Sequence, residues 1–102
     1  MTETRSETTA VWTILVVRTG GFAGLRREWR VTSTDEPSVD WPALIEACPW
    51  TTRYPLSRAN DRFVWRIEAS SPPRSKKATL PESSLTGSWA ELVDQVKTVA
   101  AR

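Results

Sequence analysis

Residues 11–33 read VWTILVVRTGGFAGLRREWRVTS, and this stretch decides the fold. Val11 to Arg18 is a near-continuous β-branched and apolar run. Leu25 to Ser33 alternates, with Trp29 and Val31 on one face and Glu28, Arg30 and Thr32 on the other. Alternation at period two marks a half-buried strand, and two strands joined by a short glycine-rich connection make a hairpin. The connection holds Gly20, Gly21, Phe22, Ala23 and Gly24 and leads into Leu25. Glycine frees the backbone, yet an aromatic and an aliphatic side chain stand where water favours polar residues. A loop of this kind predicts a surface made to touch a partner.

Working outward, the Asp35-Glu36-Pro37-Ser38 cluster ends the second strand. Asp40 is placed to cap a helix over roughly Trp41–Cys48, with Pro42 in its first turn, where a missing N–H costs nothing. Leu44, Ile45 and Cys48 form its buried side, and Pro49 stops it. Residues 50–61 read as a loop. Arg62–Ala69 (RFVWRIEA) is the clearest strand, with Phe63, Trp65, Ile67 and Ala69 opposite Arg62, Arg66 and Glu68. Ser70–Ser75 reads as a turn, because its two prolines cannot continue a sheet ladder. Lys76–Leu80 returns as a short edge strand, where lysines are suited. Leu85, Trp89, Leu92, Val93, Val96 and Val99 recur at helical steps, with Glu91, Asp94 and Lys97 on the opposite face. Gly87 is a poor helix former, so the helix is expected from Ser88, itself a good cap.

The order ββαββα predicts an α+β fold, a four-stranded antiparallel sheet with a C-terminal amphipathic helix packed on one face. Residues 1–9 hold nothing apolar after Met1, and 1–10 read as a disordered N-terminal tail, leaving 11–102 as a single domain. The expected core holds Trp12, Ile14, Trp29, Val31, Phe63, Trp65 and Ile67, with Trp41 and Trp50 outside it.

Composition narrows the chemistry. The chain of 102 residues has no histidine and one cysteine, Cys48. That excludes a zinc finger and any nucleophile that depends on a histidine base. The acids Asp35, Glu36, Asp61, Glu82 and Glu91 fall in turns or on the outer helix face, so nothing argues for an enzyme, a cofactor, a metal site or a small-molecule substrate. A lone cysteine forms no internal disulfide, which fits a reducing compartment, and the polar start carries no signal core. A cytoplasmic location is expected. No apolar run approaches the roughly 20 residues that cross a bilayer, so no membrane partner is expected. The glycine loop is followed by a strand rather than a helix, so it lacks the geometry of a phosphate cradle.

The arginines leave a second reading open. Arg18, Arg26, Arg27 and Arg30 cluster on the first hairpin, and Arg62 and Arg66 on the third strand. Arg26, Arg30, Arg62 and Arg66 on an open sheet suggest a nucleic-acid or other interaction module, with Tyr54 available to stack on a base. Glu28 and Glu68 lie among them, and a net charge of +2 is too weak to imply a polyanion by itself.

The motifs then converge on one family. Ile14–Ala23 (ILVVRTGGFA), Leu25-Arg26, Asp61–Glu68 (DRFVWRIE), Leu80-Pro-Glu82 and Trp89–Val93 (WAELV) resemble, in order, the emfourins. These are small bacterial proteins that inhibit thermolysin-like, protealysin-type zinc metallopeptidases. The resemblance implies a four-stranded antiparallel sheet with a packed helix. It also implies that the hairpin loop enters the peptidase's substrate cleft and blocks it without ligating the zinc. Carried over by position, the partner-binding residues are Thr19, Gly20, Gly21, Phe22, Ala23, Gly24, Leu25 and Arg26. Thermolysin-like clefts favour a bulky apolar side chain beside the scissile bond, a part that Phe22 or Leu25 would fill.

Overall fold

The computed structural model describes residues 11–21, 24–55 and 63–102. Strands β1 (Thr13–Gly20), β2 (Leu25–Thr32), β3 (Phe63–Ser71) and β4 (Arg74–Pro81) form one antiparallel sheet in the order β2-β1-β3-β4. Helix α1 (Trp41–Glu46) lies between β2 and β3 in the chain, and α2 (Ser88–Ala100) follows β4. The fold is α+β, as the element order predicts. The tail expected over residues 1–10 lies outside the described residues.

Period-two alternation divides the sheet into two unlike faces. On one face Ile14 and Val16 of β1, Val31 of β2, Trp65, Ile67 and Ala69 of β3 and Leu80 of β4 are buried. The stripe Trp89, Leu92, Val93, Val96 and Val99 of α2 covers them, joined by Trp41 and Ile45 of α1. At about 25 cal/mol per Å² each large side chain sealed in this layer contributes roughly 1.5–3 kcal/mol. The other face carries Arg26, Glu28 and Arg30 on β2 and Arg66 and Glu68 on β3. Val17 lies among them and is still only 2% exposed. Its cross-strand neighbours are Glu28 and Arg66, long side chains whose stems shield it.

Several boundaries shift from the sequence reading. β1 starts at Thr13 and runs past Arg18 to Gly20, because Thr19 pairs with Arg26 and Gly20 with Leu25. Helix α1 ends at Glu46 rather than Cys48. Pro49 disfavours helical backbone at the residue before it, and Cys48 N–H instead donates to the Ile45 carbonyl at 3.2 Å. The expected cap is present, with Asp40 Oδ1 accepting from Ala43 N–H at 3.2 Å. The turn between β3 and β4 shrinks to the cis-linked pair Pro72-Pro73, since Ser70 pairs with Ser75 and Ser71 with Arg74. Only the prolines lack a donor, so the residues on either side stay in the ladder. α2 begins at Ser88 as expected, but its cap is Gly87, at φ +59, a conformation open to glycine and costly for other residues.

Three tryptophans tie α1 and the segment after it to the rest of the molecule. Trp41, expected outside the core, is 1% exposed, with its indole N–H donating to the Glu36 carbonyl at 3.0 Å. One helical turn is too short for periodicity to show which side faces inward. Trp50, also expected outside, is half-buried against the core. Its N–H donates to the Ile45 carbonyl at 2.6 Å, and its ring meets Trp89 edge-on at 4.9 Å. Trp89 in turn donates to the Tyr54 hydroxyl at 3.0 Å, which ties the segment after α1 to α2.

Candidate partner-binding hairpin

The β1–β2 hairpin closes with the Gly20–Leu25 pair. Beyond that pair the chain reverses between Gly21 and Gly24, whose N–H donates to the Gly21 carbonyl at 3.2 Å. Gly20, Gly21 and Gly24 take φ of +115°, +81° and +65°. At Gly21 the demand is steric as well as torsional, because a Cβ there would stand 2.9 Å from Phe63 Cε1. Gly24 faces open space.

Of the eight residues expected to contact a partner, Thr19 and Gly20 close β1, and Leu25 and Arg26 open β2. Gly21 and Gly24 form the ends of the reversal. Phe22 and Ala23 lie outside the described residues. The irregular segment is therefore shorter than the sequence suggests, and strand geometry fixes four of the eight positions. Among the described residues of the hairpin, Leu25 is the large apolar side chain that faces solvent, at 72% exposure. Arg26 pairs along its strand with Glu28 at 2.5 Å. Thr19 lines a shallow depression of about 220 Å³ on the open face with Val17, Val64, Arg66 and Thr79.

The helix-covered side of the hairpin base holds an arrangement the sequence reading missed. Trp29 and Trp65 stack with centroids 5.9 Å apart. The Arg18 guanidinium lies 4.4 Å from the centre of Phe63, 5.8 Å from Trp29 and 5.9 Å from Trp65. Arg27 lies 5.2 Å from Trp29. Lys97 Nζ of α2 lies 5.3 Å from Trp29 and 5.7 Å from Trp65. Rings thus link α2 to Phe63, and Phe63 meets Gly21. Sequence grouping placed Arg18 and Arg27 with Arg26 and Arg30, whereas strand phase sends them to opposite faces. Lys97 was expected on the solvent face of its helix. It stands one turn beyond Val93 on the flank of the buried stripe, and its flexible stem carries the ammonium onto the rings.

Two of the open-face arginines meet acids: Arg26 pairs with Glu28, and Arg66 approaches Glu68 at 3.9 Å. Arg30 lines a depression with Asp35 and Arg102. Tyr54, expected to be free to stack, accepts the Trp89 N–H. Arg62 lies outside the described residues. Elsewhere, Glu36 is held below the usual carboxylate range by the Ser38 hydroxyl and then by Arg102. Burial, with a smaller contribution from the Glu91 charge, pushes the Cys48 thiol up to about 11. A thiol so protonated is a poor nucleophile. Among the described residues no group of three or more His, Cys, Asp or Glu side chains could hold a metal ion, and no helix is long and apolar enough to cross a membrane.

The elements define a small α+β protein, a four-stranded antiparallel sheet with a C-terminal helix, in which a glycine hairpin joins β1 and β2. The Emfourin family model matches residues 16–97, and the chain belongs to the Emfourin family. No curated protein and no solved structure matches it. Membership implies the role of a metallopeptidase inhibitor, with a peptidase as partner, and an inhibitor family is not one of enzymes.

Proposed function

We propose that this protein reversibly inhibits a thermolysin-like, protealysin-type zinc metallopeptidase by laying the segment Thr19–Arg26 in the substrate cleft. The observation that carries the reading is the pairing of a rigid base with an apolar end. Gly20 and Leu25 are locked in the ladder, Gly21 is fitted against Phe63, and Leu25 stands out into solvent. A preorganised loop loses little conformational freedom on binding, which favours affinity. The segment contains no histidine, cysteine or carboxylate, the side chains that ordinarily ligate zinc, so it would block the cleft without touching the metal. Phe22 and Leu25 supply the two bulky apolar groups for the pocket beside the scissile bond. A cytoplasmic location belongs to the same proposal, supported by a lone buried thiol with no disulfide partner in the chain.

Inhibition titrations of a protealysin-type enzyme test the reading directly. Wild type is expected to inhibit competitively with respect to a peptide substrate. Phe22→Ala is expected to lose about 2 kcal/mol or more of affinity, as removal of a central anchor does. Absence of inhibition by wild type would refute the function, and unchanged inhibition by Phe22→Ala would refute its role as anchor.

A further inference from the structure

Arg18 and Arg27 face each other directly across β1 and β2. Like charges at opposed positions are destabilising. A strand arginine is commonly answered by a nearby acid, as Arg26 is by Glu28 on the other face. At this cluster the Glu82 carboxylate accepts the Trp65 indole N–H at 3.0 Å. Lys97 adds a third cation over the same Trp29 ring. Among the described residues none of these three has a carboxylate within ion-pairing distance. The fold thus holds three like charges around one stacked pair of indoles, immediately beside the loop. Guanidinium groups lying over rings still direct their N–H edges outward, ready for oxygen acceptors.

We infer that Arg18, Arg27 and Lys97 form a receptor for carboxylates on the partner protein, gripping an acidic patch next to the cleft that the loop enters. This rests on the reading of the chain as a peptidase inhibitor and names the partner's chemistry at that contact. An acidic protein fits better than a nucleic acid. The ring faces that base stacking requires are already engaged by one another and by the cations. The neighbouring exposed side chain, Leu25, is an apolar anchor of the kind found at the centre of protein interfaces. The three cations would serve chiefly to steer association, since charge complementarity acts on approach rates more than on final affinity.

The test has two arms. In the first, tetraglutamate is titrated into the protein at low salt while the indole N–H resonances of Trp29 and Trp65 are followed by NMR. Wild type is expected to show saturable shifts at both, and an Arg27→Gln, Lys97→Gln double variant to show none. That variant should keep its fold, checked by its amide spectrum, because Arg27 is exposed and Lys97 half-buried. Absence of shifts in wild type would overturn the inference. So would a single-stranded oligonucleotide that produced the same shifts at lower concentration. In the second arm, the double variant should associate with a protealysin-type peptidase roughly tenfold more slowly at low salt, a difference that fades as salt screens it. Equal rates for the two proteins at low salt would also overturn it. A wild type that binds tetraglutamate yet fails to inhibit the enzyme would instead refute the proposed function and leave the carboxylate receptor standing.

Discussion

The most exacting test of the hairpin base is Gly21→Ala measured against Gly24→Ala. Both glycines have positive φ, +81° and +65°, so alanine at either meets the left-handed penalty of roughly 1–2 kcal/mol. Their surroundings differ. A Cβ at Gly24 meets nothing within 4 Å, whereas one at Gly21 meets Phe63 Cε1 at 2.9 Å. Phe63 cannot swing aside freely, because the Arg18 guanidinium lies 4.4 Å over its ring. Forcing a methyl into such a contact adds about 1 kcal/mol or more. Gly24→Ala should therefore cost about 1 kcal/mol and Gly21→Ala about 2–3 kcal/mol, within the 5–15 kcal/mol that such domains possess. Urea unfolding followed by tryptophan fluorescence reads both. The excess at Gly21 should vanish when Phe63→Ala is the background, the coupling expected of residues in contact. Equal losses at the two glycines, or an excess that survives Phe63→Ala, would show that the loop base is not braced by that ring.

Trp41→Ala should cost about 3–5 kcal/mol in the same assay, since it empties a fully buried site and orphans the Glu36 carbonyl; a loss below about 1 kcal/mol would contradict the buried position. Glu82→Ala removes the carboxylate that accepts the Trp65 N–H at 3.0 Å, and should cost about 1–3 kcal/mol, read by thermal unfolding. Cys48 has its thiol raised from 9.0 to about 11. The folded state therefore holds its proton more tightly than the unfolded one, and stability should fall as pH rises from about 9 towards 11. Cys48→Ala should flatten that decline, as seen in urea midpoints against pH.

The hairpin was legible because its two strands announce themselves differently, one by β-branched residues and the other by alternation around Trp29 and Val31, with glycines between. The last helix was legible from six apolar positions at helical steps, of which five lie in α2 and Leu85 precedes it. What escaped the sequence is whatever depends on which strand sits beside which. Arg18 and Arg27 are nine residues apart, and only register makes them opposed; Trp29 and Trp65 meet only because β1 lies between their strands. Trp41 carries no sign of its buried place, because a helix of six residues shows too little of its period to reveal an inner side. Ser70, Ser71, Arg74 and Ser75 were assigned to a turn on the strength of two neighbouring prolines, although each retains its own N–H.

The place of β1 in the middle of the sheet makes the two arms of the hairpin mechanically unequal. The incoming arm is held by ladders on both flanks, whereas the outgoing arm is held on one, with Leu25, Arg26, Arg27 and Glu28 all open to water. Fraying must begin on the outgoing side. Amide hydrogens of residues 25–28 should exchange with deuterium sooner than those of residues 17–20. Arg18 thus stands on the arm held from both flanks, and Leu25 on the arm held from one.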